Sequence, residues 1–284
     1  GLVLYADKAY VHTADGKLVA INTADGSLAW EAVAFDPADG YSISSTGLLV
    51  DGKIISGLRC RGFGDNRCYI MAHDAETGRE LWRRYTTAGP GEPGGETWAD
   101  LDMIFRAGGD PWMTGTYDPE LNLVYVGTSV TSPAPKFMLG GTENQHLYHN
   151  STLALDGDTG EIRWYYQHLN DHWDLDHPYE RLLVDTAVTP DANAVSWINP
   201  RLRPGETRRV ITGIPGKTGV VYTLDRETGE FLWATPTIAQ NVITSIDGAT
   251  GAVTENSEVI FTGLGQEVMA CPSWAGGKNW PAGA

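Results

Sequence analysis

The sequence predicts an all-β protein, a β-propeller of four-stranded blades, on three observations. The first is composition: 34 Gly, 10 Trp and 12 Tyr stand against only 20 Lys plus Arg in 284 residues. Glycine with aromatics favours short strands and tight turns over helices. The second is a repeat. Four segments share the pattern Ala-x-Asp/Asn-x-x-Thr/Asp-Gly-x-x-x-Trp: Ala20 to Trp30, Ala72 to Trp82, Ala154 to Trp164, and Thr223 to Trp233 with Thr at the first position. The third is spacing. The Trp-to-Trp intervals are 52, 82 and 69 residues, and a four-stranded blade needs roughly 40–50, so each unit is a blade with insertions.

Each repeat reads as a strand ending at the Asp or Asn, a turn, and a second strand leading to the Trp. Gly26, Gly78, Gly160 and Gly229 stand where the turn wants positive φ. The Trp is then a large flat residue available to pack on the neighbouring unit. Apolar runs such as Leu123-Val124-Tyr125-Val126 and Val220-Val221-Tyr222-Thr223-Leu224 supply further strands, and no segment reads as a long helix. The largest insertion, between Trp82 and Trp164, holds the stiff stretch Gly89-Pro90-Gly91-Glu92-Pro93-Gly94-Gly95 and later Thr131-Ser132-Pro133-Ala134-Pro135. Long loops on a rigid scaffold are where sites concentrate.

A formal charge of −16 repels phosphate backbones, which argues against a nucleic-acid partner. No run approaches the roughly 18 apolar residues that span a bilayer. Gly1 opens directly into the strand-like Leu2-Val3-Leu4-Tyr5, with neither initiator Met nor signal peptide, so the compartment is not written there. Three cysteines leave one over after any pairing. Cys60 and Cys68 enclose a Gly- and Arg-rich stretch that reads as a loop pinched by a disulfide, which needs an oxidising compartment; two free thiols are the other reading.

With its repeats and four further ordered matches, the chain resembles the quinoprotein alcohol dehydrogenases, eight-bladed propellers that carry pyrroloquinoline quinone (PQQ). The matches are Tyr117 to Leu123 (Tyr-Asp-Pro-x-x-Asn-Leu), Trp173 to Asp176 (Trp-Asp-x-Asp), Lys217 to Gly219 (Lys-Thr-Gly) and Cys271 to Asn279 (Cys-Pro-Ser…Gly-Lys-Asn). Details lie nearer the branch that oxidises sorbose, polyols and bulky secondary alcohols than to methanol dehydrogenase. The resemblance implies one partial quinoprotein propeller over residues 1–284, about half of the ring, with small alcohols or polyols as substrate. It further implies a cytochrome c-type electron acceptor and a bacterial periplasmic location.

Carried over by position, Trp112 in Asp110-Pro111-Trp112 is the indole beneath the PQQ ring. Lys217 matches the base that hydrogen-bonds the quinone oxygens, Asn279 a cofactor-contacting Asn, and Ser44 a hydroxyl that bonds a PQQ carboxylate. Asp174 matches the catalytic base, which takes the alcohol proton as hydride passes to the quinone. Asp176 matches the extra carboxylate of lanthanide-using members, so Asp174 and Asp176 are the implied ligands of a Ca²⁺ or lanthanide ion; the other reading of Asp176 is as the orienter of Asp174. If the segment is extended, residues two apart point to one side and both carboxylates face one cation. The equivalent of Cys271 pairs in relatives with a later Cys, which leaves Cys271 here without a partner.

The chain also departs from the pattern. Methanol dehydrogenase-like members carry a metal-binding Glu just ahead of an Arg-Gly-aromatic triplet. Arg61-Gly62-Phe63 resembles the triplet, yet nothing from Gly57 to Cys60 is acidic. Their Asn ligand matches Val130 in Gly127-Thr128-Ser129-Val130, and the place of their vicinal Cys-Cys falls before Gly1. Two rival readings stand beside the enzyme. One is a non-catalytic propeller of the same repeat acting as a protein-binding scaffold, which has no need of Trp173 to Asp176, Trp112 or Lys217. The other is a carbohydrate-binding propeller, which lacks a dedicated motif.

Overall fold

The computed structural model describes residues 1–60 and 66–281; the Arg61-Gly62-Phe63 triplet lies outside the described residues. Four antiparallel sheets follow one another along the chain. Blade one comprises Val3–Tyr5, Lys8–His12, Lys17–Asn22 and Leu28–Val33. Blade two comprises Leu48–Val50, Lys53–Gly57, Tyr69–Asp74 and Glu80–Tyr85. Blade three comprises Thr116–Asp118, Leu123–Gly127, Ser151–Asp156 and Ile162–Gln167. Blade four comprises Leu182–Val188, Glu206–Gly213, Val220–Asp225 and Phe231–Pro236, with the short strand Trp197–Ile198 added at its edge. The helical turns among the described residues are short 3₁₀ pieces.

Strand alternation explains the stacking, because successive side chains leave a strand on opposite faces. In blade two, Tyr69 and Met71 join Tyr10, Leu18 and Ala20 of blade one, while Ile70 and Ala72 join Val124, Val126 and Leu153 of blade three. In blade three, Leu123 and Tyr125 turn the other way and meet Ile211, Tyr222 and Leu224 of blade four. The three large cores therefore lie between consecutive sheets, and the central strand Leu123–Gly127 is buried along its whole length.

The repeat is the device that joins the blades. Asp74 Oδ1 accepts from the Thr77 amide at 2.8 Å and from the Thr77 hydroxyl at 2.8 Å, and Gly78 N closes on Asp74 O at 2.8 Å. Asp156 with Thr159, and Asp225 with Thr228, build the same turn. The Trp of each unit docks on the turn of the next. Trp30 Nε1 donates to Ala75 O at 3.2 Å, Trp82 Nε1 to Gly157 O at 3.3 Å, and Trp164 Nε1 to Arg226 O at 3.2 Å. Their rings cover Gly78, Gly160 and Gly229, where a Cβ would stand 2.6, 2.4 and 2.7 Å from indole carbons. Trp233 instead packs with Leu202, Val188, Val210 and Leu232. A fifth turn, Asp247-Gly248-Ala249-Thr250-Gly251, departs from the sequence pattern because Glu255 stands where the Trp would be. Its Asp247–Thr250 bonds are identical in kind, and it links the strands Ile243–Ile246 and Val253–Glu255.

The sheet order also fixes where loops gather. In an antiparallel four-stranded blade, the connection from strand two to three and the crossing to the next blade emerge at one end. The Trp-docking turns emerge at the other.

Replacing Gly160 by Ala tests the docking contact. The residue has φ +68° and its new Cβ would overlap the Trp82 ring. Left-handed strain and overpacking of about 1–3 kcal/mol each predict a loss of stability of at least about 2 kcal/mol, read from the urea midpoint. A midpoint equal to wild type would contradict the docking role.

Candidate active site

A cavity of about 520 Å³ opens at the loop-bearing end of the blades, lined by Ser44, Arg59, Asp110, Trp112, Ser129 to Ser132, Ala134, Asp174, Asp176, Lys217 and Trp274. All but Trp274, which lies after the strand Val253–Glu255, come from connections at that end. Arg59, Ser129 to Ala134 and Lys217 follow second strands; Ser44, Asp110 with Trp112, and Asp174 with Asp176 lie between blades. Five residues singled out from the sequence, Ser44, Trp112, Asp174, Asp176 and Lys217, thus meet around one space.

Lys217 is the hub. Its Nζ lies 2.9 Å from Asp174 Oδ1, 2.9 Å from Asp174 O and 3.2 Å from Asp176 Oδ2. Burial pulls the ammonium pKa down, but Asp176 and Asp174 outweigh it and hold it above the ordinary lysine value. Asp176 Oδ1 accepts from the Val130 amide at 3.0 Å. Burial raises the Asp176 pKa although Lys217 opposes this. The side chain of Asp174 is 46% exposed against 11% for Asp176, so Asp174 is the carboxylate a small molecule can reach. Both carboxylates meet the Lys217 ammonium, and the segment that carries them is not extended. Asp174 adopts φ +67°, a left-handed conformation rare for non-glycine residues and frequent at functional sites.

Trp112 is half-buried at the cavity wall. Ser44 Oγ donates to the Trp112 carbonyl at 3.1 Å, and the Tyr179 ring meets the indole edge-on with centroids 5.7 Å apart. Asn279 is set back from the cavity: its Oδ1 accepts from the Tyr179 hydroxyl at 2.8 Å. It therefore touches the Trp112 support and does not line the space itself.

The sequence reading passed over two lining residues. Arg59, within the Gly57 to Cys60 stretch that lacks an acidic residue, brings a positive charge. Asp110 adds a third carboxylate, accepting from Cys60 N at 2.7 Å and from Ser129 Oγ at 3.3 Å. Burial, then the neighbouring Asp176, push its pKa up to about 6. The Asp-Pro-Trp run was its only signal, and that was read for its Trp. Cys60 and Cys68 are disulfide-bonded with Cα atoms 5.3 Å apart, so the bridge backs Asp110 and hence the cavity. Cys271 is an exposed free thiol.

The donor set suits a planar, anionic, oxygen-rich cofactor, because an indole and two cations border the same space as a hydroxyl. It also suits a hard cation, since three carboxylates face inward; among the described residues neither Glu nor Asn lines the cavity.

A propeller whose inter-blade loops gather these groups belongs to the quinoprotein class. The chain is a member of the PQQ-dependent glucose/ethanol/alcohol dehydrogenase β-propeller domain family, whose model matches residues 5–245. It is similar to quinohemoprotein alcohol dehydrogenase ADH IIB of Pseudomonas putida, with 32% identity over 99% of this chain and 39% of the relative. Among solved structures, quinohemoprotein alcohol dehydrogenase ADHIIG of Pseudomonas putida superimposes with a TM-score of 0.85 at 30% identity, covering 99% of this chain and 40% of that one. A europium-containing methanol dehydrogenase gives 0.85 at 25% identity, covering 98% and 48%. The chain thus spans about two-fifths of the length of the curated relatives it matches. Among the described residues no helix is long and apolar enough to cross a membrane.

The Asp110 shift carries a sign. A folded-state pKa of about 6 against an ordinary 3.8 means the folded chain holds this proton more tightly than the unfolded chain. Stability therefore falls as pH rises through that window. Asp171 is likewise pushed up to about 6 by burial, so Asp110→Asn should reduce the loss between about pH 4 and 6 without abolishing it. Urea midpoints at both pH values measure this; an unchanged slope would contradict the burial argument.

Proposed function

We propose that the chain contributes the cofactor site of an enzyme that oxidises a primary or secondary alcohol, or a polyol, with PQQ and a Ca²⁺ or lanthanide ion. The proposal extends to an eight-bladed ring, a cytochrome c-type electron acceptor and a periplasmic location. Relatives named quinohemoprotein alcohol dehydrogenase support the reaction, and one named lupanine 17-hydroxylase [cytochrome c] supports the acceptor. The observation that carries the reading is the convergence of Trp112, Lys217, Asp174 and Asp176 on one cavity.

When bound, PQQ supplies an o-quinone that accepts the hydride equivalent. This chain's residues do the rest. Trp112 offers an aromatic surface for the planar ring. Lys217 would offer its ammonium to the quinone oxygens in exchange for one of its three contacts on Asp174 and Asp176, and Arg59 would offset the cofactor's negative charge. Ser44 would hold a cofactor carboxylate from the wall, while Asn279 would act through Tyr179. Asp174, the more exposed carboxylate, takes the proton from the alcohol hydroxyl, which readies the carbinol carbon to lose hydride. Asp176, held by Val130 N and Lys217, would provide hard oxygen to the metal ion together with Asp174, and Asp110 stands beside them.

Asp174→Ala should leave PQQ bound, seen by quenching of tryptophan fluorescence, and lower turnover by about 10²–10⁴-fold. Normal turnover with an alcohol would refute the base assignment. Asp176→Ala should raise the metal concentration needed for activity or change metal preference. Absence of any PQQ binding by the wild-type protein would favour the scaffold reading.

A further inference from the structure

We propose that Asp171 is the positioning residue for Asp174, and that Asn150 holds Asp171 in that role. The proposal rests on the base assignment above. Asp171 does not line the cavity and is fully buried. Its Oδ1 accepts from Trp173 N at 2.7 Å and its Oδ2 from Leu175 N at 2.6 Å. The amides on either side of Asp174 thus end on one carboxylate. A chain clamped at both neighbours has little choice for the residue between them, and Asp174 sits at φ +67°.

Asn150 fixes the clamp. Its Nδ2 lies 3.0 Å from Asp171 Oδ2, 2.8 Å from Leu175 O and 3.0 Å from His177 Nδ1. Its backbone is bound on both sides, N to Ser129 O at 3.0 Å and O from His168 N at 2.8 Å. Beyond the clamp, Trp173 Nε1 donates to Val259 O at 2.6 Å and Lys217 N to Asp176 O at 2.8 Å. With both ends tied, the left-handed turn at Asp174 is what brings its carboxylate to Lys217. Relaxation to negative φ would swing it away, leaving Trp112 and the rest of the wall in place.

Asp171→Asn retains the shape but offers an N–H₂ where one backbone amide needs an acceptor. Misplacing a reacting group by about 1 Å costs about 100-fold in rate. The variant in the full protein should therefore lose kcat on that scale with KM and PQQ affinity unchanged. In the cofactor-free chain, exchange of the Trp173 and Leu175 amides should accelerate. Asn150→Ala should shift both readouts the same way by less, and carries the test if Asp171→Asn fails to fold. Unchanged kcat, or a loss that merely tracks weaker PQQ binding, would overturn the proposal. If the wild-type protein binds no PQQ, the functional reading fails instead. The exchange experiment then still decides the clamp, since unaltered protection in the variant removes it.

Discussion

The contact on which the other features depend is the indole of one blade seated on the glycine of the next. It combines a directional hydrogen bond to a turn carbonyl with a close ring-to-backbone approach that a side chain at the glycine would block. Because the contact recurs between consecutive sheets, it sets their spacing and leaves both faces of the inner blades covered. Tyr69, Ile70, Met71 and Ala72 are buried for that reason, although they run consecutively along one strand. Docking at one end frees the other, where loops of varied length can approach one another.

The site is an electrostatic balance among those loops. Three carboxylates, Asp110, Asp174 and Asp176, would repel one another in a buried space, and burial alone drives Asp110 and Asp176 toward their protonated forms. Lys217 bridges two of them, and Arg59 adds a second positive charge at the wall. Such an arrangement keeps Asp174 next to a cation while leaving it open to solvent. It also explains why Lys217 comes from a tight turn: its amide is bound to Asp176 O and its ammonium to the same loop.

The loop from Asn170 to His177 is held more firmly than its irregular backbone suggests. Asp171 caps it from within, Trp173 ties it to Val259, and Glu255 Oε1 accepts from Asn170 N at 2.8 Å. Glu255 sits at the Trp position of the fifth repeat turn. A position that elsewhere docks one blade on another here anchors the loop of the site.

The four-blade pattern was legible from the sequence because its determinants are local: an Asp or Asn, a Thr or Asp, a Gly and a Trp at fixed offsets specify turn and strands without distant contacts. The Cys60–Cys68 bridge and the clustering of Trp112, Asp174, Asp176 and Lys217 were legible through motif and resemblance. The fifth turn was missed because Glu255 replaces the expected indole, and Asp110 and Arg59 were missed because neither belongs to a motif. Their importance comes from loops some fifty residues apart in sequence that meet only when the blades stack. The sequence by itself determined the repeating unit, through side-chain-to-backbone bonds a few residues apart. Only the tertiary structure decided which of the lining carboxylates stays open to solvent, since the left-handed turn at Asp174 depends on a buried clamp and on a lysine from the next blade.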